Sequence, residues 1–435
     1  MAEDKNIIGN TTPEDDVAVR YDIHPQRESV GESFGSLFRG DKVLWVIIIA
    51  LMVISLLVVY SSTAKMAYMP NSDSSTTAFL HKQIIMLIGC LVALFGGYIC
   101  NIKLYRYIAV IMFIAGLTFT IGAYVSGEQT NDAARWFKLG FIRFQPSEIL
   151  KVGTIMYLAL ILGIKQEDIR KIRFVPTMAF WRWRQPKQRE IFKNGAWSIF
   201  FPIIISCGVV APAHISSAFI IGASSLVMLY IGRARWSEIW RIVGWGATAF
   251  ALMLMLGLGR SSTADSRLTT FWKLWTEDRT EIPVKDLTDT ERSMIAIHEG
   301  GLLGRGAGQS AVRVEMTHPE SDYAYAFFVE EYGFILSMIL VALYVWIFFR
   351  AIEIFDKCPK RFSALLALGM ALLITFQALL HIMVAVNLFP ETGQNLPMIS
   401  RGGTSQIMIS LALGAILSVS RQTEDNSFDN NRFIL

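Results

Sequence analysis

Apolar residues in this chain come in long unbroken runs, not in the alternation of a half-buried strand or the one-sided stripe of a soluble helix. Ten runs of membrane-spanning length predict helices near 43–61, 80–100, 106–126, 147–164, 197–212, 214–231, 240–258, 325–350, 363–388 and 404–420. The fifth and sixth are joined tightly through Ala211-Pro212-Ala213. Between the seventh and eighth lies a long polar loop, 259–324. The pattern predicts an all-α polytopic membrane protein with about ten transmembrane helices. No internal repeat of useful strength is visible, which weakens an inverted-repeat transporter.

Composition sharpens this. Of 435 residues, 53% are hydrophobic and only 17% charged, against about a quarter charged in soluble domains. The mean hydropathy is +0.43. Those values exclude a disordered scaffold, a disulfide-rich secreted module and a typical nucleic-acid binder. The first apolar run starts too late and runs too long for a cleaved secretory signal, so it reads as a retained anchor. Cys90, Cys100, Cys207 and Cys358 form no metal-ligand spacing and read as small packing hydrophobes.

Charge assigns the sides. With the N-terminus in the cytoplasm, the cytoplasmic segments carry 25 Lys and Arg and the short opposite loops 6. The expected organisation is a flexible cytoplasmic tail over 1–42, a transmembrane domain over 43–421 with 259–324 as a large extracytoplasmic loop, and a cytoplasmic C-terminal tail over 422–435. Both termini are then cytoplasmic. The basic stretch Lys165 to Lys193, with Trp181 and Trp183 interleaved, fits an anionic inner leaflet, and equally a plain topogenic signal.

On the opposite face four segments carry candidate chemistry. The first holds Arg135, Trp136 and Lys138, then Arg143, Gln145, Pro146, Ser147, Glu148 and Lys151. Pro146 suits a first helical turn, and Glu148 and Lys151, three apart, share a helix face at membrane depth. An ionisable pair there points to function, although a structural ion pair in an aromatic and basic belt has the same spacing. The second ends Thr317-His318-Pro319-Glu320-Ser321-Asp322-Tyr323. Asp322 stands just before an apolar helix, where spacing alone favours a helix cap. The third, Gly300 to Gly308, has five glycines in nine residues. It lacks a Walker ending and reads as tight turns. The fourth, Pro390 to Ser405, with Ser400 and Arg401, is dense in Gly and Pro and suggests a re-entrant loop, tolerated where it is buried or lines a cavity.

Together, and in this order, these segments resemble the SEDS family (shape, elongation, division and sporulation), nearer its FtsW-like than its RodA-like members. The resemblance covers roughly 43–421 and rests on Arg135-Trp136, Gln145-Pro146-Ser147-Glu148 with Lys151, the glycine segment, Glu330-Glu331-Tyr332-Gly333 and Pro390 to Ser405. It implies a peptidoglycan glycosyltransferase that polymerises lipid II at the outer face of the bacterial cytoplasmic membrane. The implied partners are the lipid bilayer, lipid II and the nascent glycan strand, a class B penicillin-binding protein transpeptidase and other divisome membrane proteins, with no nucleic acid. In the family the acid at the position of Asp322 is essential, and Trp136 belongs to the signature.

The implied chemistry inverts an α to a β linkage, so one carboxylate base suffices, unlike the two-carboxylate devices of glycosidases. Asp322 is placed for that role. Arg135, Lys138, Arg143, Arg267 and Arg401 are the cations available to a pyrophosphate, and a divalent cation, Mg or Mn, is an equally reasonable helper. His318 could second the base, though a hydrogen-bonded loop histidine suits the spacing better. The competing readings are a lipid II flippase, using Glu148, Lys151, Glu330, Glu331 and His381 as a polar path, and a non-catalytic division scaffold.

Overall fold

The computed structural model describes residues 38–63, 76–126, 128–130, 133–139, 142–165, 169, 195–257, 261–277, 287–310, 316 and 321–432. Most of the N-terminal tail, the basic segment with Trp181 and Trp183, and His318 lie outside the described residues. Packing separates Met1–Arg39 from Gly40–Leu435, and of the first unit only Phe38 and Arg39 are described.

The second unit is helical: α1 (Lys42–Thr63), α2 (Thr76–Ile99), α3 (Ile102–Ser126), α4 (Pro146–Lys165), α5 (Phe201–Val210, preceded by a π turn at Ala196–Phe200), α6 (Ile215–Ile231), α7 (Trp236–Met255), α8 (Ser261–Thr276), α9 (Asp289–Gly300), α10 (Ala324–Lys357), α11 (Arg361–Ala385) and α12 (Gly403–Arg432). Six of these, α1, α3, α4, α10, α11 and α12, are long and apolar enough to cross a membrane, and three shorter apolar helices accompany them. The chain is an all-α polytopic membrane protein.

α11 is the axis. It packs against α4, α6, α10 and α12, and four fifths of its residues are buried. A polar side chain on such a helix is therefore shielded from lipid and must find protein partners. α3 and α4 approach closely through small residues: a Cβ on Gly116 would fall 2.7 Å from the Leu150 backbone, and one on Gly153 2.7 Å from that of Met112.

Three features depart from the apolar-run pattern. Residues 128–144 hold a small antiparallel sheet in the order β1 (Glu128–Thr130), β2 (Ala133–Leu139), β3 (Ile142–Phe144). The long polar loop carries two helices, α8 and α9, and α9 opens with a capping box between Thr288 and Glu291. α12 continues beyond the expected boundary at 421 to Arg432, because its polar last turns keep helical bonds and Glu424 accepts the Gly40 N–H at 2.8 Å.

Candidate active site

The segment 386–402, between α11 and α12, gathers the starts of four helices. Thr392, Gln394, Leu396, Met398, Ile399 and Ser400 within it are buried in the protein. Its polar backbone is satisfied from all sides. Tyr344 donates its hydroxyl to Pro397 O at 2.5 Å, and Gln406 Nε2 donates to Ser400 O at 2.6 Å. Ser216 Oγ donates to Thr392 O at 2.8 Å. Met398 is held at φ +65°, a strained conformation that persists only where surroundings over-determine it.

Gln394 is the centre of the polar network. Its Nε2 lies 3.1 Å from His214 Nδ1, Ser216 Oγ and Ser217 Oγ, and its Oε1 accepts from Lys151 Nζ at 3.4 Å. Lys151, almost wholly buried, also pairs with Glu148 at 2.9 Å and donates to Gln377 Oε1 at 2.9 Å. Gln377 reaches back to Asn395 O at 3.0 Å. His381 Nε2 accepts the Tyr325 N–H at 3.3 Å, so Nδ1 carries the hydrogen and donates to Gln394 O at 2.7 Å. The Glu148–Lys151 spacing thus makes the expected ion pair, and the amides of Gln377 and Gln394 complete it.

Asp322 stands at the mouth of this network. Among the described residues its carboxylate is met by Ser321 Oγ at 3.2 Å, and a Cβ added at Gly393 would sit 3.8 Å from its Oδ2. It does not cap α10, whose start has no side-chain cap bond. The backbone before it is fixed by Ser400 Oγ, which donates to Ser321 O at 2.8 Å and accepts the Leu396 N–H at 2.8 Å. Ser400 is fully buried, so its work is to fix the turn that carries Asp322.

The other candidates fall around this centre. Arg267, on α8, donates to Glu391 O at 3.2 Å and faces the Glu391 carboxylate at 3.7 Å. Gln145 donates its N–H to Thr404 Oγ1 at 3.3 Å and its amide to Ser147 Oγ at 3.0 Å. Arg401 is half-buried. Arg135, Trp136 and Lys138 lie on β2 and Arg143 on β3, with Lys138 directly opposite Arg143 and Trp136 opposite Glu128. The side chains of those four lie outside the described residues. Among the described residues no three His, Cys, Asp or Glu side chains converge to hold a metal by themselves.

Burial sets the charge states at the rim. His214, in the α5–α6 corner, is held neutral, with its pKa lowered to about 3 by burial and then by the Lys151 and Arg267 charges. It lines a small cleft with Thr120, Gln145, Pro146, Ser147 and Val210. Burial, and next the Glu391 charge, raise the pKa of Tyr323, whose hydroxyl lies 3.0 Å from Thr290 Oγ1. His214, Gln377 and Gln394 escaped the sequence reading as site residues. A glutamine inside the apolar run of α11 was the available signal for one of them.

Comparison with known proteins gives the lineage. Stage V sporulation protein E of Bacillus subtilis is 27% identical over 392 residues, covering 88% of this chain and 97% of that protein. A probable peptidoglycan glycosyltransferase FtsW of Nitrosococcus halophilus is 26% identical over 403 residues, covering 91% and 95%. Among solved structures, a chain of a peptidoglycan synthase complex is similar with a TM-score of 0.60 at 21% identity, covering 88% of this chain and 98% of that one. The rod shape determining protein RodA of Thermus thermophilus is similar with a TM-score of 0.58 at 20% identity, covering 88% and 97%. The fold is therefore theirs. The FtsW/RodA/SpoVE family of cell cycle proteins matches residues 41–425, and the chain belongs to that family.

Proposed function

We propose that this protein is an inverting peptidoglycan glycosyltransferase that polymerises lipid II during cell division, beside a class B penicillin-binding protein. The observation that carries the reading is Asp322: a carboxylate that caps no helix, held at the rim of a polar network that supports it. The names of the relatives, among them probable peptidoglycan glycosyltransferases, support the reaction class. The synthase complex, whose structure concerns polymerisation and crosslinking, supports a cross-linking partner.

In this mechanism the 4-hydroxyl of one lipid-linked sugar attacks the anomeric carbon of another. The bond to the lipid diphosphate breaks as the new glycosidic bond forms, and Asp322 takes the hydroxyl proton, a role worth on the order of 10²–10⁴ in rate. The starts of α4, α6, α10 and α12 converge at 386–402, and their N-terminal dipole ends favour the anionic leaving group. Arg135, Arg143, Lys138, Arg267 and Arg401 are the proposed diphosphate contacts, with Trp136 and Gln145 beside them. Glu148 and Lys151 support the site from below. The donor set admits a Mg or Mn ion only if the diphosphate supplies most of its ligands.

The topology that goes with this reading has ten crossings, α1–α7 and α10–α12, with 259–324 outside the cytoplasmic membrane of a bacterium and both tails, 1–42 and 422–435, inside. The meeting of Gly40 with Glu424 supports placing the two ends of the transmembrane domain on one side. The test is polymerisation of labelled lipid II by purified protein, with and without its penicillin-binding partner. Glycan strands are expected. Lipid II translocation without strands would move the flippase reading ahead, and neither activity would leave a division scaffold.

A further inference from the structure

α10 is two rods. Gly333 breaks it at φ +82° and ψ 171°, so 324–332 is a helical rod of its own, with Asp322 just ahead of its first turn. A break leaves carbonyls before it and N–H groups after it without helical partners. One strip of chain takes two of each. Arg305 N–H donates to Glu330 O at 2.9 Å and Gly306 N–H to Glu331 O at 3.0 Å, while Phe334 N–H donates to Gly301 O at 2.9 Å and Ile335 N–H to Leu302 O at 3.3 Å. This is where the glycines of 300–308 are used: a Cβ on Gly304 would fall 2.3 Å from Glu331 O, and one on Gly333 2.4 Å from the Leu303 carbonyl carbon.

Side chains lock the strip to α1 as well. Glu331, buried, accepts Ser61 Oγ at 2.6 Å and the Gly308 N–H at 2.9 Å, and that N–H also lies 2.9 Å from Ser61 Oγ. Glu330, also buried, accepts from Ser310 Oγ and faces the Arg305 guanidinium at 3.8 Å. We infer that Glu331 is a positioning residue for Asp322: it ties the end of α1, through Ser61 and Gly308, to the base of the rod that presents the carboxylate. This role rests on the glycosyltransferase reading. At 1.5 Å per residue the rod is about 13 Å long, so a tilt of about 5° moves its tip by about 1 Å, a misplacement that can cost on the order of 10²-fold in rate. Ser400 and His381 hold the tip itself, so loss of the clasp alone is expected to cost about tenfold or more.

The experiment compares the full-length wild type with Glu331→Ala, Glu331→Gln, Ser61→Ala and Ser61→Thr. It reads kcat and KM for lipid II polymerisation, and amide hydrogen exchange in peptides covering 300–310, 321–335 and α11. The expected result is a kcat about tenfold or more lower in both Ala variants with KM little changed, and most of the rate kept by Gln and Thr, which retain an acceptor or the hydroxyl. Exchange should rise in 300–310 and 321–335 and stay constant in α11. Full kcat in Glu331→Ala overturns the inference, and so does a loss of kcat accompanied by faster exchange throughout α11, which marks a general fold defect. Inert wild-type protein would instead sink the polymerase reading. The exchange measurement then judges the clasp alone, and unchanged exchange in 321–335 overturns it.

Discussion

Two aspartates stand just ahead of long helices, Asp41 before α1 and Asp322 before α10, at opposite ends of the bundle. Asp41 is consumed by structure. Its Oδ1 accepts the N–H groups of Val43 and Leu44 at 2.9 and 3.1 Å, and its Oδ2 takes the Arg350 guanidinium at 2.6 and 2.8 Å. Its own N–H goes to Ser420 Oγ at 2.9 Å. Among the described residues Asp322 caps nothing and meets Ser321 Oγ. The two carboxylates differ in what the fold leaves them: that of Asp41 is saturated, whereas among the described residues that of Asp322 meets Ser321 Oγ alone and keeps the lone pairs that the proposed base role needs.

The sharpest test applies one substitution to both. Asn is as good a cap as Asp but is no base. Asp322→Asn is expected to lower polymerisation by on the order of 10²–10⁴ with insertion and folding intact, measured with purified protein and labelled lipid II. Asp41→Asn should leave kcat where it was. Equal, near-wild-type rates for both would end the distinction between the two sites.

How far the sequence could go follows from the same contrast. Long apolar runs identified the helices because each run is self-sufficient in hydropathy; α11 is legible at a glance. The strands within 128–144 were not, since three to seven residues carry little periodic signal. α9 left a trace in its Thr288-Asp289-Thr290-Glu291 capping box, hidden inside what read as loop. Asp322 was legible as a candidate through family resemblance, whereas its freedom from capping is a matter of backbone orientation. The hub at Gln394 was beyond reach: its partners on α4, α6 and α11 lie 177 or more positions away, or on a neighbouring helix whose facing side no local pattern reveals.

The buried pair beneath Asp322 sharpens the comparison next. Lys151 and Glu148 are closed from water, so removing one leaves the other charge uncompensated, at a cost of about 3–5 kcal/mol. Lys151→Met is expected to lower stability by about that much in detergent unfolding. The double variant Glu148→Gln with Lys151→Met should recover a large part of it. A Lys151→Met protein as stable as wild type would show that water reaches the pair.

His214 adds a pH signature that the Asp41 end lacks. Its pKa is about 3 folded against an ordinary 6.5, so between those values the unfolded chain binds a proton that the folded chain refuses. Stability from this group is therefore full above about pH 6.5 and falls by about 1.4 kcal/mol per unit as pH drops below it. His214→Gln should flatten that part of the stability–pH curve, read as the difference from wild type. Parallel curves for the two proteins would mean that His214 is hydrated enough to protonate in place.

The smallest expected effect lies at the far end. Arg350 is joined to Asp41 and, at 2.6 Å, to Glu353, and it remains 22% exposed. Water and Glu353 therefore compensate much of what Asp41 supplies, and the pair belongs between a surface ion pair worth about 0–1 kcal/mol and a buried one. Arg350→Ala is expected to cost about 1–2 kcal/mol, because it strips Asp41 of its counter-charge while leaving its two cap bonds in place. The rate of polymerisation per folded molecule should not change, since among the described residues Asp41 and Arg350 bond to each other and to α1, α10 and α12, not to the segment 386–402. Measuring kcat and unfolding on the same Arg350→Ala preparation separates the two quantities. A fall in kcat without loss of stability would mean that the two ends communicate along α10 across the Gly333 break, and that the saturated aspartate has a share in the work of the free one.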